Sequence, residues 1–144
     1  MGLSKCILGM ADFNEIIKTA MNGKLENVDL TVGDISRGEI QDLPSHITAS
    51  NFGKMSDNAN RNDYALAIIN LVFQTIGMIA IFASRIEKDK DIILTGNLVK
   101  VPQIQMVFAE LSSLFKVNFY IPDNAEFATA IGAAIAYYRN IRNH

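Results

Sequence analysis

The chain has 144 residues, 49% of them hydrophobic, which is enough for one domain, or one lobe of a larger protein, with a sizeable core. Its single cysteine, Cys6, excludes an intrachain disulfide and suits a reducing cytoplasm. The net charge of −2 and the absence of a strongly basic run argue against a nucleic-acid partner.

The first elements predicted are two short helices. Residues 2–10 place apolar side chains on one helical face, but no Ser, Thr or Asp precedes them as an N-cap. An uncapped start is expected of a chain that once continued upstream. Asp12 is expected to cap the second helix, with Glu15 as its capping-box partner, and this helix should stop at residues 22–23.

A strand, a loop and a long helix are predicted next. Residues 28–35 alternate in part and predict a short strand. Residues 36–56 are irregular and polar, and a loop of that length is often functional. From residue 60 to 88 the pattern is helical.

The most apolar stretch of the chain, residues 64–83, is long enough to span a bilayer. Asn70 and Gln74 interrupt it, and no aromatic or basic belt brackets both of its ends. We therefore favour a core or dimer-interface helix over a membrane span.

The second half of the chain alternates strands and helices. Residues 91–95 predict a buried strand and residues 117–121 the next strand, with a helix over residues 102–115 between them. Residues 125–143 predict a final helix with positive charge near its end. The order predicts a parallel strand pair joined by a crossover helix.

Gly96 and Asn97 follow the first of these strands directly. Ligands of parallel sheets bind beyond the carboxyl edge, and glycine allows the backbone to approach a flat ring or a phosphate. An ordinary turn at the end of a strand is the alternative interpretation, and it is favoured from the residues alone.

Two further segments have a functional and a structural interpretation. Ala130 and Gly132 belong to a small-residue run that predicts close helix–sheet packing, with Asp123 or Asn124 as the cap of the helix. Residues 47–53 carry two hydroxyls and an amide beside an aromatic ring. That set could hold a small polar substrate or could serve turn formation only.

Several classes of site are excluded by the motifs. The sequence contains no GxxxxGK[ST] loop and no GxGxxG run. His46 and His144 are not in a Cys or His cluster with metal-ligand spacing, so no metal ligand is assigned. Cys6 has no neighbouring histidine in the sequence, and we assign it no catalytic role.

Taken together, these motifs resemble the type II pantothenate kinases over nearly the whole chain. No single motif is specific, but their order is. The segments that carry the resemblance are GLSK at residues 2–5, FNEI at 13–16 with Gly23, DLTVGDI at 29–35, TASNFG at 48–53, the turn at Gly96 and Asn97, and residues 126–133.

The resemblance implies an α/β fold in which residues 1–144 form a single domain, the C-terminal lobe of an actin-like (RNase H-type) ATPase, with a mixed sheet and packed helices. It implies transfer of the γ-phosphate of ATP, with Mg²⁺, to pantothenate, the first step of coenzyme A biosynthesis. It places Gly96 and Asn97 in the adenosine motif, and Thr48 and Ala49 in the pantothenate pocket. The helix between Asn62 and Arg85 is expected to form a homodimer.

The family's two phosphate loops and its catalytic carboxylate are expected before residue 1, so no catalytic residue is assigned and the chain alone is expected to be inactive. We expect a cytoplasmic protein with no nucleic-acid or membrane partner. The alternatives are a lobe of another actin-like kinase, such as a sugar kinase, and a non-catalytic dimerisation or regulatory module.

Overall fold

The computed structural model of the protein describes residues 1–38, 40–41 and 43–142. Asn143, the predicted end of the last helix, and His144 lie outside the described residues. The fold is α/β, as predicted, and its contacts divide it into two compact units, Met1–Ile76 and Gly77–His144. The single domain of residues 1–144 and its actin-like arrangement stay predictions.

The first unit is built of short elements and the beginning of a long helix. In chain order they are α1 (Gly2–Leu8), α2 (Phe13–Ala20), a 3₁₀ turn (Leu25–Asn27), β1 (Leu30–Thr31), α3 (Val32–Ile35), β2 (Thr48–Ser50) and the start of α4 (Arg61–Glu87).

The boundaries of the two N-terminal helices follow from their caps. Helix α1 has no side-chain cap at its start, as predicted, and it ends at Gly9, whose φ of 69° closes the last turn. Asp12 caps α2, as predicted, because its carboxylate accepts a 2.8 Å hydrogen bond from the Glu15 backbone amide.

The prediction of a strand over residues 28–35 is right for only two residues of that range. Only Leu30 and Thr31 are extended, and β1 pairs antiparallel with β2. Thr31 and Asp34 form a capping box that begins α3 at Val32, because the Thr31 side chain accepts from the Asp34 amide and the Asp34 side chain accepts from the Thr31 amide. This local cap overrides the strand pattern.

An apolar cluster and one buried carboxylate fix α2 and α4 in the first unit. The cluster consists of Leu8, Met10, Ile16, Ala20, Ala65, Leu66 and Ile68. Asp63, in the first turn of α4, is 1% exposed and accepts hydrogen bonds from the Lys24 amide (2.8 Å), the Asn27 side chain (2.9 Å) and the Asn60 amide (3.0 Å). Burial raises the pKa of Asp63, but these three hydrogen bonds outweigh it and leave the pKa below its ordinary value.

The second unit follows the predicted order. It contains the end of α4, then β3 (Asp91–Ile93), a 3₁₀ turn (Asn97–Lys100), α5 (Ile104–Phe115), β4 (Asn118–Tyr120), a 3₁₀ turn (Ala125–Phe127) and α6 (Ala128–Arg142). Strands β3 and β4 are parallel, with Asp91 opposite Asn118 and Ile93 opposite Tyr120. The parallel pair with α5 as its crossover helix is therefore confirmed.

Helix α5 supplies most of the apolar core of this unit. Val107, Phe108 and Leu111 are buried, and the ring of Phe108 meets that of Phe119 edge to face at 4.6 Å between centroids. Gly77 of α4 is in close contact with Leu111 and Phe108, so the absence of a side chain at position 77 brings the two helices together.

The packing predicted for residues 123–134 is wrong. In α6, residues 129–142 are exposed, and a Cβ at Gly132 would meet no atom within 4 Å. Asn124 precedes the 3₁₀ turn in the left-handed conformation (φ 59°) and makes no side-chain cap. The small residues of α6 therefore serve no close packing within the described residues.

Helix α4 is long and apolar enough to cross a membrane by length and composition, and half of its most apolar window is buried inside the fold. Its polar residues Asp63 and Asn70 are buried and hydrogen-bonded to other parts of the first unit. Buried and satisfied polar groups of this kind are typical of a core helix.

Candidate functional site

Gly96 lies just beyond the carboxyl end of β3, with φ 96°. Its amide donates a 2.9 Å hydrogen bond to the Ala125 carbonyl, while the Leu94 amide donates to the Tyr120 carbonyl at 2.8 Å. The space where a Cβ would stand is open to 4 Å within the described residues. The backbone of Gly96 therefore has no side chain over it at this edge. A flat ring or a phosphate can approach it.

Asn97 begins the 3₁₀ turn after Gly96 and is exposed. The structure thus brings the two predicted residues together at the edge where ligands of parallel sheets bind. Gly96 leaves an open backbone surface beside Asn97.

An ion pair joins the two turns at this edge. Lys100 and Glu126 are 3.0 Å apart, and the Lys100 ammonium lies 5.6 Å from the centroid of the Phe127 ring. Hydrogen bonds from its own backbone amide and from Lys100 lower the pKa of Glu126. Sequence reasoning missed this pair, because 26 positions separate its members and each alone resembles an ordinary surface charge.

The second predicted site, Thr48 and Ala49, lies in the first unit on β2. Thr48 is half-buried and Ala49 is exposed. The Thr48 hydroxyl lies 3.3 Å from the Asp29 carboxylate, and the Asn51 side chain lies 3.4 Å from the same oxygen. The predicted hydroxyl and amide are thus brought together, and both face a buried acid.

Asp29 is the residue that sequence reasoning missed at this site. It is 0% exposed and also accepts from the Asn70 side chain at 2.8 Å and from the Phe52 amide at 2.8 Å. Nothing local marks it, since the aspartate stands in an alternating segment. Asn70 was noted only as an interruption of an apolar helix.

One cavity of the first unit contains none of the predicted site residues. Its volume is about 590 Å³, and it is lined by Ile7, Leu8, Met55, Ala59, Asn60, Arg61 and Tyr64. Arg61 is engaged there in a 2.9 Å hydrogen bond to the Leu8 carbonyl at the end of α1. The cavity thus shares no lining residue with either predicted site.

Among residues 1–38, 40–41 and 43–142, no three His, Cys, Asp or Glu side chains are grouped so that they could hold a metal ion. No step of a reaction is therefore assigned to Mg²⁺ in this chain.

A strand–helix–strand unit with an open glycine at its carboxyl edge has the geometry at which open α/β sheets bind their ligands. Comparison with known proteins places the chain more closely: it belongs to the Fumble family, which it matches over residues 1–140. This confirms the resemblance read from the sequence.

The curated relatives are type II pantothenate kinases. The chain is 31% identical over 140 residues to one from Bacillus anthracis, 28% over 140 residues to one from Bacillus cereus, and 28% over 138 residues to one from Oceanobacillus iheyensis. Each match covers 94% of this chain and 50%, 50% and 53% of the relative, respectively. The chain therefore spans about half the length of the curated relatives it matches.

Proposed function

We propose that this chain forms part of an ATP-dependent pantothenate kinase and acts in the first step of coenzyme A biosynthesis. The observation that carries the proposal is the family match over residues 1–140, together with relatives named type II pantothenate kinase. In this proposal the chain supplies the adenosine side of the nucleotide site and part of the pantothenate pocket.

The adenosine side is assigned to Gly96 and Asn97. The positive φ of Gly96 and the open space above it support this role, because a base or ribose can lie against the backbone there. Bound ATP would supply the γ-phosphate. The ion pair of Lys100 and Glu126 fixes the 3₁₀ turn that carries Asn97.

The pantothenate pocket is assigned to the loop that includes Thr48 and Ala49. Ala49 and Ser50 are exposed on β2, and the loop behind them is held by hydrogen bonds to a buried acid. A rigid and partly polar surface of this kind suits a small polar substrate.

The chemistry of phosphoryl transfer requires charge stabilisation around the γ-phosphate, normally by Mg²⁺ and basic groups. Because no group of three candidate metal ligands occurs among the described residues, we assign those groups to the half of the relatives that the chain does not match. The 144-residue chain alone is predicted to have no kinase activity.

The activity is tested by incubating the chain with ATP, Mg²⁺ and pantothenate, alone and mixed with the unmatched half of the Bacillus anthracis relative. We expect phosphopantothenate and ADP from the mixture only. Turnover by the chain alone would contradict the predicted inactivity. Phosphorylation of a sugar in place of pantothenate by the mixture would favour the alternative of a sugar kinase lobe.

The adenosine assignment is tested by titrating the chain with ATP and ADP. Asn97→Ala should weaken nucleotide binding several-fold, whereas Asn118→Ala, at the amino end of β4, should not. Substitution of Gly96 is a poorer probe, because its φ of 96° strains any side chain independently of ligand. Equal binding by the two asparagine variants would contradict the assignment.

A homodimer through α4, predicted between Asn62 and Arg85, is supported by exposed apolar residues of that helix. Ile79, Phe82 and Ile86 are 65%, 55% and 80% exposed and follow one another at spacings of three and four, on one helical face. Such a row of exposed apolar side chains is typical of a helix that packs on another copy.

Sedimentation of the chain and of Ile79→Glu tests the dimer. We expect a dimer that Ile79→Glu dissociates, while Ser113→Glu, at an exposed position of α5 outside this row, leaves it intact. A tight dimer that binds no nucleotide would favour the alternative of a non-catalytic dimerisation module. A monomeric wild-type chain would contradict the dimer.

The actin-like lobe and the cytoplasmic location belong to the same proposal. The family match supports both, and the single cysteine supports the location. The burial of half of the apolar window of α4 supports a soluble protein.

A further inference from the structure

Asp29 is fully buried in the first unit, with 0% of its surface exposed. A carboxylate taken out of water is destabilising unless several hydrogen bonds replace its hydration. The hydrogen bonds that replace its hydration also fix the groups that donate them.

Those hydrogen bonds come from α4 and from residues 48–52, which the proposed function makes part of the pantothenate pocket and which we call the substrate loop. The Phe52 amide donates to Oδ1 at 2.8 Å. Oδ2 accepts from Asn70 at 2.8 Å, from the Thr48 hydroxyl at 3.3 Å and from Asn51 at 3.4 Å. All four groups are neutral donors, and they occupy both oxygens of Asp29. A carboxylate has only acceptors, so these donors satisfy it.

The loop adopts a backbone that needs such support. Phe52 has φ 56°, a conformation that is unfavourable for a residue with a side chain. Asn51 is held a second time by its 3.1 Å hydrogen bond to the Gln74 side chain on α4. The loop is thus tied to the helix through both Asp29 and Gln74.

The orientation of Thr48 follows from the same contacts. Its hydroxyl has one proton, which is directed to Asp29, and its oxygen also accepts from the Asn70 side chain at 3.3 Å. The hydroxyl is therefore engaged inside the fold, and the exposed part of β2 is formed by Ala49 and Ser50.

We propose that Asp29 is the positioning residue of the substrate loop: it holds Thr48, Asn51 and Phe52 so that Ala49 and Ser50 face the ligand. Thr48 then contributes to the pocket through Asp29 and does not touch the ligand with its hydroxyl. The part that concerns the ligand rests on the proposed function, with pantothenate as the probe.

Hydrogen exchange of the Phe52 amide in the full chain tests the positioning independently of any ligand. We expect protection in the wild type and exchange about tenfold or more faster in Asp29→Asn. The side-chain NH₂ of the new asparagine would stand where Oδ2 accepted three hydrogen bonds, and it would face three donors. Asp63→Asn is the matched control, since it alters another buried carboxylate of the same unit with three hydrogen bonds. It should leave exchange of the Phe52 amide unchanged once the change in global stability, measured by denaturant unfolding, is subtracted.

An unprotected Phe52 amide in the wild type, or equal acceleration in the two variants, would overturn the proposal. If Asp29→Asn does not fold, Asn51→Ala removes one donor and keeps Asp29. It should accelerate exchange of Phe52 more than Asn58→Ala, which alters an exposed asparagine of the same segment. No difference between the two asparagine variants would also count against positioning.

The ligand is tested by titrating pantothenate and following the amide signals of Ala49 and Ser50. We expect Asp29→Asn to weaken binding about tenfold and Asp63→Asn to leave it unchanged. Loss of binding in Thr48→Val with normal Phe52 exchange would overturn the role given to Thr48. If the wild-type chain shows no saturable binding, the proposed pantothenate site fails, while the exchange measurements still decide the role of Asp29.

Discussion

Gly23 occupies a position in the first unit where a side chain has no room. A Cβ there would collide with the Asn62 carbonyl oxygen and lie 2.8 Å from the Cβ of Leu66. The neighbours are helix backbone and cannot move aside easily. The glycine after α2 therefore permits the close approach of the chain to α4.

Gly23→Ala should lower the free energy of unfolding by about 1–3 kcal/mol, the usual cost of overpacking. Denaturant unfolding measures the change. Gly2→Ala is the control, since a Cβ at Gly2 meets no atom within 4 Å. Similar stability of the two variants would show that the contact relaxes at little cost.

The ion pair of Asp34 and Lys54 gives a second prediction at the scale of single residues. The two groups are 2.7 Å apart, and the hydrogen bond from Lys54, with those from Thr31, lowers the pKa of Asp34 from 3.8 to about 2. Lys54→Met should raise the pKa of Asp34 toward 3.8, as measured by NMR titration.

Lys100→Met is the matched control for that titration. It removes the partner of Glu126, so it should raise the pKa of Glu126 and leave that of Asp34 unchanged. An unaltered Asp34 pKa in Lys54→Met would mean that the pair does not form in solution.

At the scale of elements, Gly77 and Gly132 should respond in opposite ways to alanine. Gly132, in the exposed α6, has open space for a Cβ, so Gly132→Ala should stabilise that helix by about 0.5–1 kcal/mol. Gly77, in α4, has Leu111 and Phe108 against it, so Gly77→Ala should be destabilising.

Unfolding curves and helical circular dichroism of both variants check this pair. Destabilisation by Gly132→Ala would mean that α6 packs closely against something in solution, as the small-residue pattern of the sequence predicted.

Sequence periodicity predicted the long elements because many residues in each of them follow the same apolar pattern. Helix α4 and the β3–α5–β4 unit each have a sustained apolar pattern, and their limits were predicted within a few residues. The strand predicted for residues 28–35 was wrong in part, because one capping box between Thr31 and Asp34 decides the backbone there. The packing of α6 was wrong because small residues permit a contact but do not require one.

For the candidate sites too, the features that are local in the sequence could be predicted and those that join distant residues could not. The turn at Gly96 was predicted because strand, glycine and turn are adjacent in the sequence, and its role in a nucleotide site stays a prediction. Asp29 was not predicted, because Thr48, Asn51 and Asn70 lie 19, 22 and 41 positions away from it. A buried polar group is identified by its partners, and these are joined only by folding.

For the whole molecule, the lowered pKa values of Asp63 and Asp34 predict how stability depends on pH. A carboxyl group with a lower pKa when folded binds protons more readily in the unfolded state. Its contribution is complete above its ordinary pKa of 3.8 and is lost as pH falls through the folded value. We therefore expect stability to fall steadily below about pH 4.

Asp63→Asn should remove part of this acid dependence, because position 63 no longer titrates, and it should lower stability near neutral pH. Asp57→Asn, at an exposed position, is the control and should change neither. Thermal unfolding between neutral and acid pH measures both effects. An unchanged acid slope in Asp63→Asn would contradict the assignment.

The edges of the parallel pair β3 and β4 predict how the chain aggregates at high concentration. In the part of the chain that the structure describes, each of these strands is paired on one side only, and Ile93 and Tyr120 are 67% and 51% exposed. Unpaired strand edges with apolar side chains are templates for further strands. Concentrated solutions of the chain should therefore grow intermolecular β-structure from this edge, and a lysine at position 93 should slow that growth.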